Sequence, residues 1–227
     1  MAQSDLPVAN VFPGPRSRIS GALWSVMTLL SLVIALYGLT YFLGLPGDDH
    51  FARYIQPLRF HIAGGMGALL AGPWQFLPKL RARALNFHRW LGRFYLLEVA
   101  LGSIAGLVMA TVSSAGWPTH VGFGVLAVLW FASGLQAYLQ IRKGNVAVHR
   151  QWMTRNFALT LAAVTLRIEL PFMLAVLHWP FSRAYIMVSW LCWVPNAILA
   201  EVMLRQQTTA NAQLRSKARP VTRCARG

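Results

Sequence analysis

Long apolar runs alternate with short basic segments along almost the whole of this 227-residue chain. Six runs stand out, at residues 21–43, 60–77, 94–112, 121–141, 157–179 and 186–204. A helix rises about 1.5 Å per residue, so about 20 apolar residues cross a hydrocarbon layer roughly 30 Å thick. Each run approaches or exceeds that length. The second is the shortest and the richest in glycine, and its helix is expected to begin a few residues earlier, near Gln56. The pattern predicts an all-α protein, a bundle of six transmembrane helices over residues 21–205. A polar segment (1–20) precedes it, and a basic tail without apolar period (206–227), read as disordered, follows.

Composition agrees. Hydrophobic residues make up 56% of the chain and charged residues 12%, against about 45–50% and 25% in soluble domains; the mean hydropathy is +0.47. A soluble protein of this size has no interior large enough for so much apolar surface, so the surplus faces lipid.

The net charge of +15 does not point to nucleic acid, because the basic residues fall in separate short connections. Arg16 and Arg18 precede the first run. Lys79, Arg81, Arg83, Arg89 and Arg93 lie in the second connection, and Arg142, Lys143, Arg150 and Arg155 in the fourth. Arg205, Arg215, Lys217, Arg219, Arg223 and Arg226 follow the last run. The other connections hold only Arg53, Arg59 and Arg183. By the positive-inside rule both termini are expected in the cytoplasm and the protein in the cell (inner) membrane. The first run is too long for a signal-peptide core and is read as an uncleaved helix. Cys192 lies in an apolar run and Cys224 in the basic tail, so no disulfide is expected.

The histidines carry the candidate chemistry. In the six-helix topology His61 and His120 fall at the outer ends of the second and fourth helices. His88 and His149 fall at the inner ends of the third and fifth. One pair on each side, at equal depth on alternating helices, is what bis-histidine haem ligation needs. Gly65, Gly92 and Gly124 each follow a histidine by one turn on the same face. Such bare stripes suit a flat macrocycle, and they equally suit close packing of membrane helices. His88 and His149 precede their apolar runs by six and eight residues, so their helices must extend into the interface. Arg89, Arg93, Arg150 and Arg155, with Arg53 and Arg59 outside, are candidate contacts for haem propionates or another anion. An interfacial histidine can also be merely solvated, and these arginines can merely fix topology.

Arg167 lies near mid-depth of the fifth run, where a charge is costly and is usually paired or functional. Glu169, two residues on, points elsewhere; Glu98 and Glu201 are the better partners. Pro171 is expected to free the carbonyl of Arg167, and Pro195, beside Asn196, to kink the sixth helix. No phosphate loop, zinc helix motif or nucleophile elbow is present.

Three segments, HIAGGMGALLAGPWQFLP from His61, HRWLGR from His88 and HRQWMTRNFALTLAAVTLR from His149, together with LCWVPNAILAE from Leu191, resemble a family of bacterial predicted membrane proteins of unknown function. The architecture is also similar to that of the ascorbate-reducible di-haem cytochromes b, in which the second and fourth, and the third and fifth, helices supply ligands. The His88–Gly92 segment resembles a short ligand motif there, although the histidine spacings here are tighter. That likeness implies two haem b groups held by His61 with His120 and by His88 with His149, electron transfer through the bilayer, and a redox partner or quinone. The alternative expectation is a small transporter or channel built on Arg167, Glu98, Glu169 and Glu201, or a structural or lipid-binding membrane subunit.

Overall fold

The structure, a computed structural model, describes residues 21–43 and 53–217, and among them there are only helices and turns. In chain order they are α1 (Gly21–Gly38, continued by a 3-10 turn, Leu39–Tyr41), α2 (Ile55–Gln75), α3 (Pro78–Arg83), α4 (Leu85–Thr111), α5 (Trp117–Arg142), α6 (Val146–Thr160), α7 (Ala162–Ala175), α8 (Phe181–Leu191) and α9 (Val194–Lys217).

Among the described residues five stretches are long and apolar enough to cross a membrane: Gly21–Tyr41, Leu85–Thr111, Trp117–Arg142, Val146–Ala175 and Phe181–Ala210. The last two are helix pairs, α6–α7 and α8–α9. The second run forms α2, which has 21 residues but is interrupted by Arg59, His61 and four glycines. Five spanning helices are therefore shown where six were expected. Large apolar side chains stand exposed around the outside, among them Leu29, Leu97, Ile104 and Leu199. An exposed apolar surface of that extent calls for a lipid environment.

Consecutive long helices run antiparallel. Gly64 of α2 faces Gly102 of α4 while Gln75 faces Gly92. Trp130 of α5 meets Gly102, and Asn156 of α6 reaches Trp130. Local sequence sets the ends. Pro78 opens α3, where its missing N–H costs nothing. Gly144, with φ of 77°, closes α5: its N–H bonds Ile141 O at 3.1 Å, and Asn145 N–H bonds Gln140 O at 2.9 Å. These are the two bonds of a left-handed helix stop, a conformation glycine adopts without strain.

Glycines also set the α2–α4 approach. A Cβ on Gly64 would lie 2.5 Å from the Gly102 nitrogen, so the two backbones touch. Of the three glycines that follow a histidine by one turn, Gly92 faces the Gln75 side chain and a Cβ on Gly124 would lie 3.9 Å from that of Ala110. Gly65 faces open space. On the α4 side of α2 the closely packed small residues include Gly64, against Gly102, and Gly67, against Glu98.

The kinks differ in detail from expectation. Pro171 is accommodated inside α7. The fifth span breaks earlier, at Leu161, between α6 and α7. The sixth breaks just before Pro195, where Asn196 Nδ2 donates to Cys192 O at 3.0 Å and to Thr165 Oγ1 at 2.9 Å. Helix α9 runs on to Lys217, so the first half of the stretch read as a disordered tail is helical. Residues 218–227, with Cys224, lie outside the described residues, as do His50, Asp48, Asp49 and residues 1–20.

Candidate functional site

One end of the bundle gathers most of the titratable groups. Helix α4 starts at Leu85 and α6 at Val146, so both inner-pair histidines stand on helices that extend beyond the apolar runs. The charges of Arg81, His149, Arg150 and Arg89 all act on His88. Two histidines and three arginines, drawn from α3, α4 and α6, thus meet in one region. Burial and the neighbouring Arg150 pull the Arg81 guanidinium below its ordinary pKa.

The hydrogen bonds in this cluster are unevenly distributed. His149 Nδ1 lies 2.8 Å from Ala137 O. A carbonyl can only accept, so Nδ1 donates, and in the neutral tautomer this selects, the lone pair is on Nε2. His88 Nδ1 is buried with no protein partner, and so is Gln75 Nε2. Arg81 donates to Gln75 O at 3.4 Å, and Gly92 faces Gln75, where a Cβ would sit 3.3 Å from Oε1. Buried polar atoms usually have partners. Two orphans beside a cluster of cations mark a place for a ligand with acceptor atoms. Sequence reading found His88, His149, Arg89 and Arg150; it missed Gln75 and passed over Arg81. Their only signal is position, at the end of α2 and within the short α3 that follows.

Two other expected anion contacts are already engaged. Arg155 pairs with Glu201 at 2.9 Å and stacks over Trp152 at 4.9 Å; Arg205 also reaches Glu201, at 3.6 Å. Arg93 lies over Trp90, 5.0 Å from the ring centre.

The outer pair is laid out differently. His61 Nδ1 donates to Gly102 O at 2.8 Å, and its ring packs against Gly106. His120 uses Nε2, 3.0 Å from Ser113 O. Ser113 lies just past the end of α4, seven and eleven residues beyond Gly106 and Gly102, and the helical part of that interval, to Thr111, spans roughly 7–14 Å. The two rings are therefore offset in depth, where equal depth was expected. Arg59 Nε, one turn from that end of α2, is buried without a partner.

Arg167 does not pair with Glu98 or Glu201. Its guanidinium donates to Ala163 O at 3.0 Å and lies over the Tyr37 ring at 5.7 Å, and its charge acts on His61. Glu201 is held by Arg155, and Glu98 lies over Gly67 on the α2 side of α4. Glu169 Oε2 is buried without a partner, near Cys192.

A polar network unseen in the sequence occupies the core. Tyr95 donates to Asn156 Oδ1 at 2.6 Å, and its oxygen lies 2.9 Å from Thr160 Oγ1. Trp130 Nε1 donates to the same Thr160 oxygen at 2.9 Å. Asn156 Nδ2 donates to Trp130 O at 2.7 Å and Ser133 Oγ at 2.8 Å. Every member is satisfied, which marks the network as structural. Among the described residues no group of three or more His, Cys, Asp or Glu is placed to hold a metal ion by itself; a two-histidine ligand set is a different case.

No curated protein and no solved structure matches this chain. A family described as predicted membrane protein, DUF2306, matches residues 58–204, from α2 to the middle of α9. With the apolar helices, that match makes the chain an integral membrane protein, and the chain belongs to this family of predicted membrane proteins, whose function is unknown.

Proposed function

We propose that the protein crosses the bilayer six times, with α2 as the shielded sixth helix and both ends in the cytoplasm. Its basic end would hold a b-type haem between His88 and His149 for transmembrane electron transfer. The observation that carries this reading is the buried, unpartnered Nδ1 of His88, on which the charges of His149, Arg81, Arg89 and Arg150 act. Packing explains how α2 crosses with so polar a sequence. It lies against α1 and α4 and turns Gly64, Gly67 and Ala71 inward. The basic connections on either side of it supply the orientation.

A b-type haem bound there would supply one-electron chemistry through iron held by two imidazoles. The residues fit that group on three counts. The Ala137 carbonyl fixes the His149 ring and its tautomer, as partners of ligating histidines do. His88 has a buried ring nitrogen that no protein atom satisfies. Arg81 and Arg150 are placed to pair with propionate carboxylates, and Gln75 Nε2 is a further donor without a partner. His61 and His120, offset along α4, are not assigned a second haem in this proposal. A quinone or other redox partner would dock at the membrane surface beside the basic end.

The test is an absorption spectrum of the detergent-purified protein, oxidised and then dithionite-reduced. A sharp b-type α band in the wild type and its loss in His149→Ala and His88→Ala are expected. A colourless protein from cells supplied with haem precursor removes the reading.

A second reading rests on Arg167, a cation inside the bundle whose described contacts include no carboxylate. In it the protein is a small transporter or channel and Arg167 attracts an anion. Flux into proteoliposomes that is unchanged by Arg167→Leu would eliminate it.

A further inference from the structure

The outer surface of the bundle carries a groove that the haem reading does not use. It lies between α4 and α5, has a volume of about 290 Å³, and is lined by Leu96, Leu97, Ala100, Phe131, Leu135 and Tyr138, with Arg93 at one end. Antiparallel register puts Arg93 and Tyr138 at the basic end and Ala100 and Phe131 deeper in the span. From Arg93 to Ala100 the groove follows seven residues of helix, roughly 10 Å, or about two thirds of one leaflet's hydrocarbon.

Its mouth is cationic and aromatic. Arg93 lies over Trp90 at 5.0 Å, and Arg142, one turn on from Tyr138, lies over the Tyr138 ring at 6.0 Å. Arg93 and Arg142 are both exposed. The nearest acidic residue on α4, Glu98, packs over Gly67 on the face turned to α2, so it does not neutralise the mouth. Tryptophan and tyrosine prefer the headgroup level, and arginines at that level attract acidic lipid.

We propose that this groove is a specific site for an anionic phospholipid, with one acyl chain along Leu97, Ala100 and Phe131 and the phosphate between Arg93 and Arg142. Charge complementarity selects this occupant. A zwitterionic lipid fits the apolar floor equally well but gains less from two guanidinium groups, and a quinone gains nothing from either charge. The site is separate from the His88–His149 cluster and does not depend on a haem being bound.

Native mass spectrometry of the full chain tests it, after incubation with equal amounts of dioleoyl phosphatidylglycerol and dioleoyl phosphatidylcholine. One phosphatidylglycerol retained per chain, preferred roughly thirtyfold, is expected for two surface arginines. Arg93→Gln with Arg142→Gln should bring retention of the two lipids level. Ala100→Phe, which fills the floor, should remove bound phosphatidylglycerol altogether. Circular dichroism and a single gel-filtration peak establish that the arginine variant, altered only at exposed positions, is folded. Equal retention of both lipids by the wild type overturns the proposal, and so does a preference that survives the double arginine change. Displacement of phosphatidylglycerol by ubiquinone would assign the groove to a neutral amphiphile and overturn it as well.

Discussion

The two polar centres of this protein behave in opposite ways. In the core, Tyr95, Trp130, Ser133, Asn156 and Thr160 close a network across α4, α5 and α6 in which every donor finds an acceptor. At the basic end, His88 and Gln75 each keep a buried nitrogen without a protein partner, beside the cations Arg81, Arg89 and Arg150. Both lie within a few turns of each other on α4, so the difference is not one of general environment. A completed network holds helices in register and has no capacity left for a ligand. An incomplete one costs stability unless something binds, and functional sites are where that cost is tolerated.

Substitutions at the two centres, and at the helix contact that carries both, should separate these roles. The largest loss is expected from Gly64→Val. Its side chain would collide with the α4 backbone at Gly102, and forced separation of the helices should cost about 3 kcal/mol. Unfolding of the purified protein in an SDS titration measures this; a change below 1 kcal/mol would mean that α2 docks loosely. Asn156→Ala should come next, at about 2 kcal/mol, since it removes the acceptor of the buried Tyr95 hydroxyl and leaves a void. It should leave any b-type absorption in place. His149→Ala should show the reverse, with less than about 1 kcal/mol in the same titration, because the residue is only half-buried, but complete loss of the reduced α band. If Asn156→Ala removed the band and His149→Ala kept it, the roles assigned to the two centres would be exchanged. The smallest effect belongs to Glu201→Gln. Its pair with Arg155 is partly exposed, at 29% and 39%, so the loss should be about 0.5 kcal/mol and should fade at high salt.

Much of this was legible in the chain. Runs of about 20 apolar residues can do little but cross a membrane as helices, because hydrocarbon leaves every backbone group to be satisfied within its own segment. The six runs therefore predicted all the long helices, and the histidines at the start of α4 and α6 were found by their place between runs. Depth and partnership were not legible. His61 and His120 read as a level pair, yet α2 enters the bundle such that His61 packs beside Gly102 and Gly106 while His120 caps the far turn at Ser113. Arg167 read as an ion-paired residue, yet its neighbours are an aromatic ring and a carbonyl of its own helix.

The same division holds for the molecule as a whole. By itself the sequence determined the environment, the helical class and the membership of a membrane-protein family, because these follow from composition and spacing summed along each segment. Only the tertiary structure decided which small residues touch, that α2 is shielded between α1 and α4, which carboxylate holds Arg155, and that the orphaned atoms of Gln75 and His88 share one end. Those features depend on the rotation and register of one helix against another. Close contacts such as Gly64 on Gly102 set both, and no single segment contains that information.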